Sequence, residues 1–102
     1  MVPEGHTIHR LSRDLRSDFG THPVKASSPQ GRFQNGSIQI NGKTLSKSEA
    51  WGKHLFLSFD DELILHVHLG LIGKFRPHSI ESSTTDTVRL RLEGKQAWHL
   101  TG

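Results

Sequence analysis

A mainly β domain, a sandwich or barrel preceded by one helix, is the fold class that these 102 residues predict. Three observations carry that expectation. One stretch near the N-terminus spaces its apolar residues for a helix, most of the remaining chain alternates with a period of two, and Asn-Gly, Asp-Asp and Glu-Gly pairs interrupt the alternation at short intervals. A chain of this length supports one core, so one domain is expected.

The helix is predicted over Thr7 to Phe19, where Ile8, Leu11, Leu15 and Phe19 share a face and Arg10, Arg13, Asp14 and Arg16 take the others. Pro3 and the acidic Glu4 suit its positive end, and Gly20 suits its stop. "SIQINGKTL" alternates around an Asn-Gly turn and predicts a strand pair. "HLFLSF" and "ELILHVHL" flank Asp60-Asp61 and predict a hairpin; "TVRLRLEGKQAWHL" predicts another, turning at Glu93-Gly94. "RPHSIESSTTDT" reads as an exposed loop. The last segment, "AWHLTG", runs from an apolar strand into Thr-Gly without a tail, which reads as a cut at a domain boundary.

Lys and Arg number 13 against 10 acidic residues, and eight histidines can add positive charge beside an anion. Such a surface suits a phosphate-rich partner. The lack of cysteine excludes disulfides, thiolate nucleophiles and cysteine zinc sites from this segment. "LFLSF" and "LILHVHLGLI" are too short or too polar to span a bilayer, and no apolar signal core opens the chain. The expectation is a soluble, intracellular protein.

Several residues carry possible chemistry. A proline whose nitrogen is the chain terminus is a secondary amine that can attack an electrophilic carbon and form an iminium, an electron sink for elimination, with a neighbouring carboxyl to protonate a leaving oxygen. Pro3 and Glu4 offer that pair, although the same two residues also make an ordinary helix entry. Lys53 comes after Trp51-Gly52 at the mouth of a strand, either to grip a phosphate or as a plain turn lysine. Leu71 and Ile72 lie between Gly70 and Gly73, fit either for wedging into a base stack or for packing at a bulge. His66 and His68, like His6 and His9, have spacings a metal can use, yet hydrogen-bonded packing or phosphate contact fits better where no cysteine or HExxH pattern helps. Arg89 and Arg91 alternate on a polar strand face, to track a nucleic-acid backbone or simply to be solvated.

In order and spacing, "PEGHTIHRL", "SSPQGRF", "WGKHLF" and "HVHLGLIGKF" resemble the N-terminal domain of the formamidopyrimidine-DNA glycosylase and endonuclease VIII family, with wording most like actinobacterial endonuclease VIII proteins. The resemblance implies a two-layer antiparallel β-sandwich with an N-terminal helix, and a bifunctional enzyme that removes oxidised bases and cleaves the strand by β,δ-elimination. It assigns Pro3 as nucleophile at C1′, Glu4 as the acid at the sugar ring oxygen, and Lys53 as the phosphate-gripping lysine needed for base removal. Leu71 falls where the family inserts its wedge, with Ile72 beside it, and His68 supports that loop or touches phosphate; Lys74 and Arg89 are further expected DNA-binding residues outside these motif assignments. Damaged double-stranded DNA is the implied partner, oxidised pyrimidines the favoured lesions, a monomer in the bacterial cytoplasm the implied state. No metal or other cofactor is expected in this segment, since the family's zinc belongs to a C-terminal finger.

Two departures qualify the expectation. Family members begin Met-Pro-Glu, whereas Val2 here precedes Pro3 and leaves its nitrogen a tertiary amide with no lone pair to offer. The family's helix-two-turn-helix and zinc-finger segments do not come after it in this sequence, so feeble affinity and little turnover are expected of the domain by itself. The alternative is a damaged-DNA binding module whose proline is blocked. A third reading, an ordinary β-domain with a basic surface, leaves four ordered motifs unexplained.

Overall fold

A computed structural model describes the backbone of residues 4–69 and 74–101, with side chains from Ile8 onward. Helix α1 runs Glu4–Phe19, three residues earlier than its apolar face alone indicates. Ile8, Leu15 and Phe19 are buried and Leu11 is partly so, as the spacing requires. Gly20, at a positive φ of 56°, ends the helix, and its amide returns to the Arg16 carbonyl at 3.0 Å.

Strand β1 (Lys25–Ser27) precedes a second helix, α2 (Gln34–Ile40), in place of the strand that alternation predicts. Alternation suggests one face for Ile38 and Ile40, but two positions on a helix stand about 200° apart. Ile38 is accordingly 64% exposed while Ile40 and Ser37, three residues apart, are buried. Asn41-Gly42 still turns the chain: the Gly42 amide reaches the Val24 carbonyl at 2.8 Å, and Asn41 Oδ1 accepts from the Ala26 amide at 3.0 Å.

Strands β2 (Leu45–Trp51), β3 (His54–Phe59) and β4 (Ile64–His68) form one antiparallel sheet in that order. The expected acidic hairpin joins β3 to β4, with Asp61 and Glu62 both in left-handed backbone at φ 62° and 61°. Asp60 Oδ2 accepts from the Thr44 amide at 3.2 Å and Lys43 pairs with Asp61, which raises the lysine pKa. A second sheet has the order β1-β6-β7-β5, with β5 Lys74–His78, β6 Val88–Glu93 and β7 Ala97–Thr101. The expected loop therefore begins after His78, because "KFRPH" pairs with β7, placing Pro77 on an edge strand where no amide is needed.

The two sheets bury their apolar faces in one core. Leu55, Leu57, Leu65 and Val67 come from the first; Leu90, Leu92, Trp98 and Phe75 come from the second; α1 adds Leu15 and Phe19. Asp18 is a polar residue at its margin, its Oδ2 accepting from Trp98 Nε1 at 2.9 Å and from the Gln96 amide at 3.1 Å. That contact requires glycine at position 94, where a Cβ would stand 2.5 Å from the Phe19 ring and 2.9 Å from Asp18.

Candidate functional site

Helix α1 lies along edge strand β2 in the opposite direction. Ser12 Oγ meets Ser48 Oγ at 2.6 Å, and one helical turn later Arg16 donates to the Ser46 carbonyl at 3.0 Å. Four helical residues rise about 6 Å and two strand residues about 6.6 Å, so the two elements stay in step. Continued toward the helix start, the same register brings Glu4 level with Gly52. A groove of about 630 Å³ runs between them, lined by His9, Ser12 and Arg13 from the helix and by Ser48 to Trp51 from the strand.

Trp51 pairs with His54, which leaves Gly52 and Lys53 as a two-residue hairpin turn. Gly52 carries a positive φ of 55° and Lys53 does not, the type II′ pattern that calls for glycine first. The turn presents Lys53 on the surface, and its carbonyl accepts from the Leu69 amide at 3.0 Å. The end of β4, at His68, is thereby fastened beside the lysine turn. The start of α1, Lys53 and His68 thus gather at one end of the three-stranded sheet.

Lys74 is exposed as the first residue of β5 and lies opposite Thr101, which lies opposite Val88. Arg89 is the extra residue of a bulge at that end of β6, half-buried, with its Nε lacking a hydrogen-bond partner. β7 lies between them, so their backbones are about 10 Å apart. The "SSPQGRF" segment clasps the bulge: Ser28 Oγ donates to the Arg89 carbonyl at 2.6 Å and the Gln30 amide to the Val88 carbonyl at 2.9 Å. Pro3, Leu71 and Ile72 lie outside the described residues, and Glu4 is described by its backbone alone.

Arg91 takes neither of the roles its sequence position suggests. It is buried, 8% exposed, and donates to the carbonyls of Ile80 at 2.6 Å and Ser82 at 3.1 Å and to His99 Nε2 at 2.8 Å. The bulge at Arg89 breaks the alternation, so the two arginines do not form one polar row.

Reasoning from sequence missed His54. It stands opposite His68 on β4 as Phe56 stands opposite His66, on the face turned away from the core. The rings stack in sequence: Phe56 on His66 with centroids 4.6 Å apart, His66 beside His54 at 5.0 Å, His54 on His68 at 4.5 Å. His54 Nδ1 and His66 Nε2 share a hydrogen bond of 2.8 Å. Burial, then repulsion from His68 and His66, lowers the His54 pKa. Among the described residues no group of three or more His, Asp or Glu is placed to hold a metal ion. The register signal was present in the sequence, since a two-residue turn at Gly52-Lys53 and an acidic turn after Phe59 suffice to align His54 with His68.

A family model, the formamidopyrimidine-DNA glycosylase N-terminal domain, matches residues 2–102. The chain belongs to this family. "Endonuclease 8 1" of Mycobacterium tuberculosis and that of Mycobacterium bovis are each 50% identical to it over 74 residues, covering 72% of this chain and 28% of theirs. The chain thus spans less than a third of those glycosylase-family relatives. The fold agrees with a crystal structure of Lactococcus lactis formamidopyrimidine-DNA glycosylase non-covalently bound to DNA containing an abasic site, at TM-score 0.76 and 19% identity over 92% of this chain and 39% of that one. A complex of the Lactococcus lactis enzyme with DNA containing formamidopyrimidine-dG gives TM-score 0.69 at 19% identity, over 91% and 37%. The two-layer β architecture with its leading helix is the fold of this glycosylase domain. Among the described residues no helix is long and apolar enough to cross a membrane.

Proposed function

We propose that this domain carries the nucleophile end of a base-excision-repair glycosylase and abasic-site lyase acting on damaged duplex DNA. The convergence of the α1 start, the Gly52-Lys53 turn and His68 on one end of one sheet supports this reading most. These are the elements to which family resemblance assigns amine, acid, phosphate grip and wedge support, and they are dispersed over 65 positions of sequence from Glu4 to His68.

In this reading the amine of an N-terminal Pro3 attacks C1′ as the damaged base departs with the glycosidic electron pair. Glu4 protonates the ring oxygen as the sugar opens to the iminium. Loss of a C2′ proton then feeds electrons into the iminium and expels the 3′ phosphate, and a further elimination expels the 5′ phosphate. Lys53 holds a phosphate beside the lesion as a point charge. Oxidised pyrimidines are the favoured lesions, through the resemblance of the four motifs to endonuclease VIII proteins.

Val2 favours a second reading, a damaged-DNA binding module, because an acylated proline nitrogen cannot form the iminium. Borohydride trapping on an excess of abasic-site duplex separates the two. The chain beginning at Pro3 is expected to give a covalent band and the chain retaining Val2 none; on a duplex carrying an oxidised base, Glu4→Gln in the Pro3-first chain is expected to slow base release about a hundredfold. Absence of a band from the Pro3-first chain, with duplex bound, would establish the binding module instead.

A further inference from the structure

The outer face of the β2-β3-β4 sheet carries a continuous column of rings, of which the proposed chemistry uses only His68. Phe56, His66, His54 and His68 stack from the middle of the sheet to the end where Lys53 and Leu69 are joined. Among the described residues no other element covers this face: Trp51, opposite His54, is 68% exposed, and Ile64, two residues before His66, is 65% exposed. We infer that His54 and His66 extend the contact expected of His68 into a phosphodiester track, binding the backbone of duplex DNA that flanks the lesion. It extends the DNA interface from the lysine turn across the open sheet. The inference rests on the proposed glycosylase reading for its partner.

The hydrogen-bond chemistry fits an anion. Of His54 Nδ1 and His66 Nε2 one must donate and the other accept, so the pair can hold one added proton while keeping its bond and loses that bond only with a second. The column is therefore able to take up charge beside a phosphate at small cost to its geometry. Without an anion the three imidazoles repel each other's protonation, which agrees with the lowered His54 pKa. Among the described residues the charged groups on the same face are few. Lys47 is paired with Glu49 at 3.1 Å on β2, Lys53 stands at the turn, and β4 adds His66 and His68. Flat rings at 4.5 to 5.0 Å spacing with nitrogen at their edges suit phosphate oxygens and sugar faces, while the net charge of +3 favours a polyanion over a second copy of this chain.

Histidine ring-proton titration by NMR tests it on the 102-residue chain between pH 5 and 8, with and without a saturating abasic-site duplex at low salt, His→Gln variants giving the assignments. DNA is expected to raise the midpoints of His66 and His68 by about one pH unit, with His54 rising after them, while the buried His99 of the other sheet stays fixed. If the duplex shifts the Gly52-Lys53 amide signals but leaves the three midpoints in place, the track is wrong and the glycosylase reading stands. If nothing shifts at millimolar duplex, both fall. Midpoints that move with protein concentration in the absence of DNA would place a second copy on this face and overturn the inference.

Discussion

The two sheets carry histidines on both of their outward faces and treat them in opposite ways. On the three-stranded sheet the rings of His66 and His68 lie open to solvent, with His54 half-buried between them. On the four-stranded sheet His78 stacks on His99 with centroids 4.3 Å apart, but the connection after β5 folds back over His99 and Arg91 fastens it there. His99 is left 5% exposed. What separates a closed face from an open one is a donor able to satisfy the carbonyls of a covering segment: an arginine supplies five in a fixed fork, while β2, β3 and β4 contain no arginine. A β-sandwich with one partly covered and one bare outer face has a built-in side for a partner.

Removing the fork is expected to have the largest effect. Arg91→Ala deprives the Ile80 and Ser82 carbonyls and His99 Nε2 of their donor. It should cost about 3 kcal/mol in urea unfolding and open residues 79–87 to protease. Arg91→Lys, a single donor, should fall between. A loss below about 0.5 kcal/mol, the range of an ordinary surface change, would show that the loop is not clamped and that the contrast between the faces is only one of exposure.

Acid should act on the partly covered face next. Arginine only donates, so His99 accepts through an unprotonated Nε2. Burial, then repulsion from His78 and Arg91, lowers its pKa, against the opposing attraction of Glu93; Arg76 stands opposite His99 on β5. The folded state thus binds fewer protons than the unfolded chain. This stability contribution is complete above the ordinary histidine pKa near 6.5 and is lost progressively as the pH falls below it. A wild-type stability curve that declines below about pH 6.5, flattened in His99→Gln, is the expected result; an identical slope in both would assign the decline to other groups.

Much of this arrangement was legible in the sequence. The helix face of Ile8, Leu15 and Phe19, the hairpins at Asp60 and Gly94 and a sandwich-or-barrel class come from period and turn chemistry, which are local, while the two-layer sandwich came with the family resemblance. The helix at Gln34–Ile40 was not, because Ile38 and Ile40, two residues apart, satisfy only the strand period, while the buried helical face pairs Ile40 with the polar Ser37. Arg91 looked like a surface residue since its partners are backbone carbonyls, which no side-chain pattern reveals. The gathering of Glu4, Lys53 and His68 likewise depends on an antiparallel helix-on-strand register and one amide bond, both long-range. Motif resemblance supplied that gathering where periodicity could not.

The smallest effect sharpens the comparison from the open side. His66→Ala removes a ring stacked on Phe56 and a hydrogen bond to His54, yet both lie at the surface, where water replaces the bond and the ring covers little of the core. Exposed substitutions of this kind change stability by no more than about 0.5 kcal/mol. His66→Ala is therefore expected to leave the urea midpoint almost unchanged while removing its share of duplex affinity, the reverse of Arg91→Ala. A face kept at little cost to the fold is one whose rings are free to answer to a ligand. A measured loss above about 2 kcal/mol would mean that the column holds β3 to β4, making it part of the scaffold as Arg91 is on the other side.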